Sequence, residues 1–259
     1  MGVGYGHLLV VGGAICVGGI IHATFIPRSR LFGPVVSRGS ADGPARVALT
    51  FDDGPTAGAT DRVLDALGEL GVKAAFFVVG KNVEREPRLA ARIVEEGHLI
   101  GNHSFDHFHS GMFGLAGFWR GQIGRTDLAI ERATGVRPGM FRPPMGHKTP
   151  FIMAAAARAG HAVVTWNRRA WDGMASATPG KIVERVAPSA RAGDIILLHD
   201  GVEPQSRRDP SASVAAVKPL ILALRERGLE PVRLDELTGL RAYQDGAAPS
   251  GIGRSRSQT

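Results

Sequence analysis

The chain of 259 residues contains a single cysteine, Cys16. That excludes an intrachain disulfide and any metal site built on several thiolates, so a bound metal must rest on histidine and carboxylate ligands. Aromatic residues are scarce, at 6%, so the core must be packed mainly from aliphatic side chains and alanine. The 44% hydrophobic content still suffices for one sizeable core, of the size an α/β barrel reaches. No internal repeat is present, and no basic run interleaved with aromatics. The formal charge of +7 could draw the protein to a polyanion. With no nucleic-acid motif, nucleic acid is not an expected partner, and an Arg-rich solvated surface explains the charge equally well.

A basic stretch is also missing ahead of the apolar run from Leu8 to Ile26. A secretory signal peptide would carry one. Residues 8–26 are close to the ~20 needed to cross a bilayer, and they read as a membrane anchor or membrane-associated segment. Arg28 and Arg30 follow it. The positive-inside tendency then favours a cytoplasmic C-terminal side. The alternative is an apolar arm packed on the domain. Residues 1–44 are thus an apolar segment and linker, 45–240 a folded domain, and 241–259, rich in Gly, Ser and Arg, a disordered tail.

Within the domain, short apolar runs alternate with stretches of helical spacing. Strands are expected at 46–51, 72–79, 98–101, 139–142, 161–166, 194–199 and 230–234. Helices are expected at 60–70, 87–96, 118–134, 150–158, 181–187 and 213–227. Such alternation means a parallel sheet covered by helices. About seven units fit an incomplete or distorted (β/α)7 barrel better than an eight-unit one. The polar residues of interest fall at the C-terminal ends of the strands, where α/β barrels place their sites.

The sequence Thr50-Phe51-Asp52-Asp53-Gly54-Pro55 puts two carboxylates at a strand end. They repel unless a cation is near, so one could bind a metal while the other takes a proton; a plain turn is the alternative. His103 and His107 are four apart, a spacing that on a helical turn directs both imidazoles to one metal. With a strand-end carboxylate they make a two-His, one-carboxylate set. Arg142-Pro143-Pro144-Met145 is a stiff loop that fixes a guanidinium and can aim a backbone N–H at an oxyanion. Asp172 could orient a histidine, and Trp166 and Trp171 could pave a sugar site or pack in the core. His199 ends an apolar strand, as a structural residue or as a general acid.

Taken together and in this order, these elements resemble the NodB-homology polysaccharide deacetylases, carbohydrate esterase family 4. The complete Thr-Phe-Asp-Asp-Gly-Pro and His-Ser-x-x-His elements carry most of the likeness, which covers about residues 45–235. The resemblance implies a bacterial envelope hydrolase that removes acetyl groups from an amino-sugar glycan with one divalent metal. Zn²⁺ is the first expectation, with Co²⁺, Fe²⁺ or Mn²⁺ as alternatives. It makes Asp52 the catalytic base, Asp53, His103 and His107 the metal ligands, and Arg142 the partner of the base. Met145 becomes the oxyanion-hole residue through its backbone, and His199 the general acid, tuned by Asp172. Pro143, Trp171 and Leu198 are expected to line the glycan groove. Two departures bear on that groove: Met145 replaces the family's usual aromatic, and Gly173, not Trp, follows Asp172. An O-acetyl esterase, a small-molecule amidohydrolase of the same fold and a silent carbohydrate-binding envelope protein are the competing readings. A membrane partner is expected only through residues 8–26.

Overall fold

A computed structural model describes residues 17–206 and 209–244. Eight short strands form one sheet: β1 (Arg46–Asp52), β2 (Ala75–Val78), β3 (Leu99–Asn102), β4 (Met140–Phe141), β5 (Ala162–Val163), β6 (Arg168–Arg169), β7 (Ile195–His199) and β8 (Glu230–Pro231). The order is β5-β4-β3-β2-β1-β7-β6, with β8 beside the start of β1, and every ladder is parallel. Strands β5 and β6 lie on one continuous segment whose first half pairs with β4 and whose second half pairs with β7. That segment brings the two edges of the sheet together, giving the distorted barrel expected from the alternation. Counted as one, β5 and β6 leave seven strand units. The expected strand over 161–166 stops at Val163, where the segment pairs with Val36 instead, the Val36 N–H donating to the Val163 carbonyl at 2.9 Å and the Thr165 N–H to that of Val36 at 2.8 Å, and Asn167 then leads into β6. Its side chain accepts from the Ile195 N–H at 2.8 Å and donates to Asp194 at 2.6 Å.

Alternation along the strands separates two cores. Val47, Leu49 and Phe51 of β1 and Ile196 and Leu198 of β7 face outward, into a layer shared with the helices. Ala48 of β1 and Ile195 and Leu197 of β7 fill the barrel interior with Phe77 and Trp166. Helix α2 (Thr60–Glu69) buries Val63, Leu64 and Leu67, the spacing of one helical stripe. Helices α4 (Pro87–Glu95), α5 (Ala116–Thr134), α6 (Pro150–Arg158), α7 (Pro179–Val186) and α8 (Ser211–Glu226) lie where helical spacing predicts them. Both α6 and α7 start with a capping threonine followed by proline at the first helical position, Thr149-Pro150 and Thr178-Pro179.

Three helices were not expected. Helix α1 occupies residues 17–25, α3 is Gly80–Arg85, and α9 is Leu234–Thr238. The last shortens the final strand, since Leu234 and Leu237 turn inward and plug the N-terminal end of the barrel. Helix α1 buries Ala23 and Thr24, whereas Val17, Ile20, Ile21 and Phe25 are exposed. Its C-terminal end is pinned by Lys148, whose buried ammonium donates to the carbonyls of Ile26 and Pro27 at 2.8 and 3.1 Å. Among the described residues no helix is long and apolar enough to cross a membrane; residues 8–16 of the apolar run lie outside them. Residues 241–244, assigned by composition to the tail, are held against the barrel. Gly139 donates to the Ala242 carbonyl at 2.8 Å and Gln244 to that of Arg137 at 2.9 Å. The remaining tail, 245–259, lies outside the described residues.

Candidate active site

The inward set of β1 ends in Thr50 and Asp52, so strand alternation alone delivers the Asp52 carboxylate to the C-terminal mouth of the barrel. Arg142, completely buried, reaches it from the loop after β4. One guanidinium nitrogen donates to Asp52 at 2.7 Å and to the Thr50 hydroxyl at 2.9 Å, and the other to the Thr165 carbonyl at 3.1 Å. The guanidinium also lies 4.0 Å above the Phe77 ring, so its orientation is fixed on several sides. The Asp52 carboxylate is itself almost wholly buried. Burial pushes its pKa up, against the lowering by Arg142 and His199.

Asp53 faces the same cavity because its backbone is left-handed, φ 75°, which reverses the alternation a continuing strand would impose. The turn is tightly covered. A Cβ on Gly201 would stand 2.4 Å from the Asp53 carbonyl carbon, so the chain after β7 can pass there only as glycine.

His103 and His107 also converge there, but not on a helical turn. Ser104 and His107 have φ of 69° and 50°, and the loop is held by side chains. Gln122 on α5 accepts from the N–H groups of Phe105 and Asp106 at 2.9 and 3.0 Å. Asn102 accepts from that of Ser104 at 2.9 Å. The His103 Nδ1 lies 2.7 Å from the Arg142 carbonyl. A carbonyl only accepts, so Nδ1 carries the proton and the Nε2 lone pair faces Asp53, 3.6 Å away. His107 Nε2 is 3.4 Å from the same Asp53 oxygen. Burial lowers both histidines, His103 well below its ordinary value and His107 to about 4. Two neutral imidazoles and one carboxylate, with ligand atoms within 4.8 Å of one another, suit a divalent ion by donor chemistry and by tautomer.

On the other side of the cavity, His199 Nδ1 is 3.0 Å from Asp172 Oδ1, and the His199 N–H donates to Asp172 Oδ2 at 2.7 Å. Burial alone would lower His199, but Asp172, with help from Asp53 and Asp52, raises it to about 9. Asp172 moves the other way: its burial opposes ionisation, and the His199 cation holds it below the usual carboxylate range. With Nδ1 engaged, Nε2 is the nitrogen that can serve the cavity.

The closed part of this cavity holds about 50 Å³ and is lined by Asp52, Asp53, His103, His107, Met145 and His199, among others. Met145 is left-handed at φ 57° and 44% exposed, so its peptide unit is turned within the rim. Of the residues expected to line the groove, Leu198 does not. It points outward into the helix-facing core, and its neighbour Leu197 lines the cavity, because successive strand residues face opposite sides. Pro143 is buried and stiffens the loop from beneath. Trp171 is exposed and lies in an adjoining groove. A separate apolar groove of about 420 Å³, lined by Phe32, Met153 and Leu240 among others, shares none of the polar groups of the cavity.

Three residues of the cavity were missed in the sequence: Arg169, Leu197 and Glu203. Glu203, in the charged loop after β7, is buried and contacts His109 Nε2 at 2.5 Å. It stands 3.7 Å from His107 Nδ1, a buried nitrogen with no hydrogen-bond partner. The only signal for Glu203 was an acidic residue four positions after His199, in a loop whose course the sequence does not reveal.

The polysaccharide deacetylase family pattern matches residues 39–164. A peptidoglycan-N-acetylglucosamine deacetylase of Bacillus cereus is 34% identical over 205 residues, covering 74% of this chain and 87% of that one. A chitooligosaccharide deacetylase of Sinorhizobium fredii is 38% identical, covering 73% of this chain and 90% of that one. Among solved structures, a peptidoglycan N-acetylglucosamine deacetylase superposes with a TM-score of 0.73 at 30% identity, covering 81% of this chain and 95% of that one. By its sequence, its barrel and its relatives, the chain belongs to the polysaccharide deacetylase family.

Proposed function

We propose that this protein is a metal-dependent hydrolase that removes N-acetyl groups from an amino-sugar glycan, releasing acetate and leaving a free amine. The observation that carries this reading is the convergence on one cavity of a buried two-His, one-Asp set, an Asp–Arg pair and a His–Asp pair. Asp53, His103 and His107 would hold one divalent ion. Zinc is the first choice for such a nitrogen and oxygen set, with cobalt, iron or manganese as alternatives. When bound, the ion supplies Lewis acidity that polarises an acetyl carbonyl and acidifies water.

The protein's own groups do the rest. Asp52, oriented by Arg142, takes a proton from the attacking water; burial raises its basicity for that task. The Met145 peptide N–H supports the carbonyl oxygen as it becomes negative. His199, kept protonated by Asp172, gives its proton to the departing nitrogen as the C–N bond breaks. The named substrates of the relatives, peptidoglycan and chitooligosaccharides, support an N-acetylglucosamine-type unit. Glycans of that kind support a bacterial cell-envelope location. The outward apolar face of α1 supports contact with a membrane through residues 8–26.

The test is acetate release from acetylated glycans. Release is expected from the wild type, to be abolished by chelator, and to fall at least about a hundredfold in Asp52→Asn. Release of equal rate in Asp52→Asn would refute the assignment of the base.

A further inference from the structure

Two left-handed residues in succession shape the rim of the cavity, Met145 at φ 57° and Gly146 at φ 70°. Such backbone persists only where its surroundings over-determine it. Trp166 backs the second: a Cβ on Gly146 would stand 2.7 Å from the indole. The hold on the other side comes from the end of α1 and the two residues after it, which precede the stretch matched by the family pattern. The Lys148 N–H donates to the Thr24 carbonyl at 3.1 Å. The Phe25 ring meets the His147 ring edge-on, with centroids 4.9 Å apart. The Lys148 side chain, 1% exposed, donates to the carbonyls of Ile26 and Pro27 at 2.8 and 3.1 Å and turns back to that of Gly146 at 3.4 Å. An ammonium has three N–H bonds, and these three carbonyls take them all. The Pro27 carbonyl also accepts from the Thr165 hydroxyl at 3.0 Å, and the Thr165 carbonyl accepts from Arg142 at 3.1 Å. One short stretch of chain therefore touches both the loop of Met145 and the anchor of Arg142.

We infer that Lys148 is a positioning residue: it clips the Gly146 carbonyl to the C-terminal end of α1 and so holds the Met145 N–H in place for the oxyanion. The segment that precedes the barrel is thereby a working part of the site. Packing alone does not call for a lysine here. A methionine of similar length would fill the same space without taking an ammonium out of water. What the ammonium adds is a fixed bridge between two pieces of chain distant in sequence. Downstream, the Thr149 hydroxyl accepts from the Ile152 N–H at 3.3 Å and fixes the start of α6, so the clip acts on the few residues between Pro144 and Thr149. An oxyanion donor lowers a barrier only if its N–H is already in place when the charge develops. This deepens the deacetylase reading and rests on it for the role of Met145.

The experiment compares the zinc-loaded wild type with Lys148→Met and with Phe25→Ala, the latter at an exposed position. The substrate is an N-acetylglucosamine oligosaccharide. The second probe is the same oligosaccharide with a tetrahedral methylphosphonamide in place of one acetamide. In Lys148→Met, kcat should fall about tenfold while KM stays within about twofold, a fraction of the loss from removing an oxyanion donor outright. Affinity for the tetrahedral probe should fall by the same factor, with zinc affinity unchanged. Phe25→Ala should move kcat and probe affinity in the same direction by about twofold. A lysine that only stabilises the fold would lower the unfolding midpoint and leave kcat and probe affinity of the folded protein unchanged; that result overturns the proposal. If Lys148→Met does not fold, unchanged values in Phe25→Ala overturn it. Failure of the wild type to release acetate would instead strike the deacetylase reading. Hydrogen exchange would then decide the clip, since the amides of Gly146, His147 and Lys148 all donate to carbonyls. They should exchange faster in Lys148→Met, and in Phe25→Ala, while the barrel strands keep their protection; equal exchange overturns the proposal.

Discussion

His199 holds its proton because the Asp172 carboxylate lies 3.0 Å from Nδ1 in a site shielded from water. Its folded-state pKa of about 9 stands above the ordinary 6.5. The stabilisation this pairing gives is therefore complete below pH 6.5 and is lost as pH rises through about 9. Activity should follow, since the neutral imidazole has no proton to give. A pH profile of kcat/KM should show an alkaline limb near 9, with an acid limb above the ordinary carboxylate range, where Asp52 gains its proton. An alkaline limb near 6.5 would mean that Asp172 does not tune His199. Glu203 acts on the other side of the cavity. Its carboxylate lies 3.7 Å from the buried His107 Nδ1. An acceptor there fixes the tautomer and makes Nε2 a better ligand. Glu203→Gln should weaken zinc binding by about tenfold, read by competition with a chromophoric chelator; unchanged affinity would leave Glu203 with His109 alone. At this scale, membership of the cavity was legible wherever a strand end and a residue type coincide, as at Asp52 and His199. Orientation was less so. Leu198 was expected in the groove where Leu197 stands, since one residue of register exchanges the faces of a strand.

The loop after β3 shows what element-level reading can and cannot supply. The four-residue spacing of His103 and His107 was read as a helical turn, and the convergence of the two rings is real. It arises instead from left-handed residues at 104 and 107, tied down by Gln122 and Asn102. Periodicity carries no trace of such a loop, because its bonds come from a helix 17 residues further on. Gln122→Ala would leave the buried Phe105 N–H without its acceptor, at about 1–3 kcal/mol. A lower unfolding midpoint in denaturant and a weaker metal affinity are expected together. A loss of stability with metal affinity intact would show that the loop does not depend on this anchor. Helices α3 and α9 escaped notice for a related reason: each is short, and tertiary docking rather than a long apolar stripe holds it.

Over the whole molecule, the parallel barrel was legible from the alternation of apolar runs and helical spacings, since few architectures satisfy it. Its closure was not. The shared segment carrying β5 and β6 and the plug made by α9 depend on partners distant in sequence. The barrel places the groups proposed to be catalytic at one end, and under that proposal their contributions should appear and vanish as a unit. The deciding measurement is a titration of zinc into metal-stripped protein, with acetate release from an acetylated glycan followed throughout. Release should be absent at the start, rise with added zinc and saturate at one ion per chain, and His103→Ala should show no such rise. Release that is full before any ion is added, or that is regained equally by His103→Ala, would contradict a metal-dependent deacetylase built on Asp53, His103 and His107.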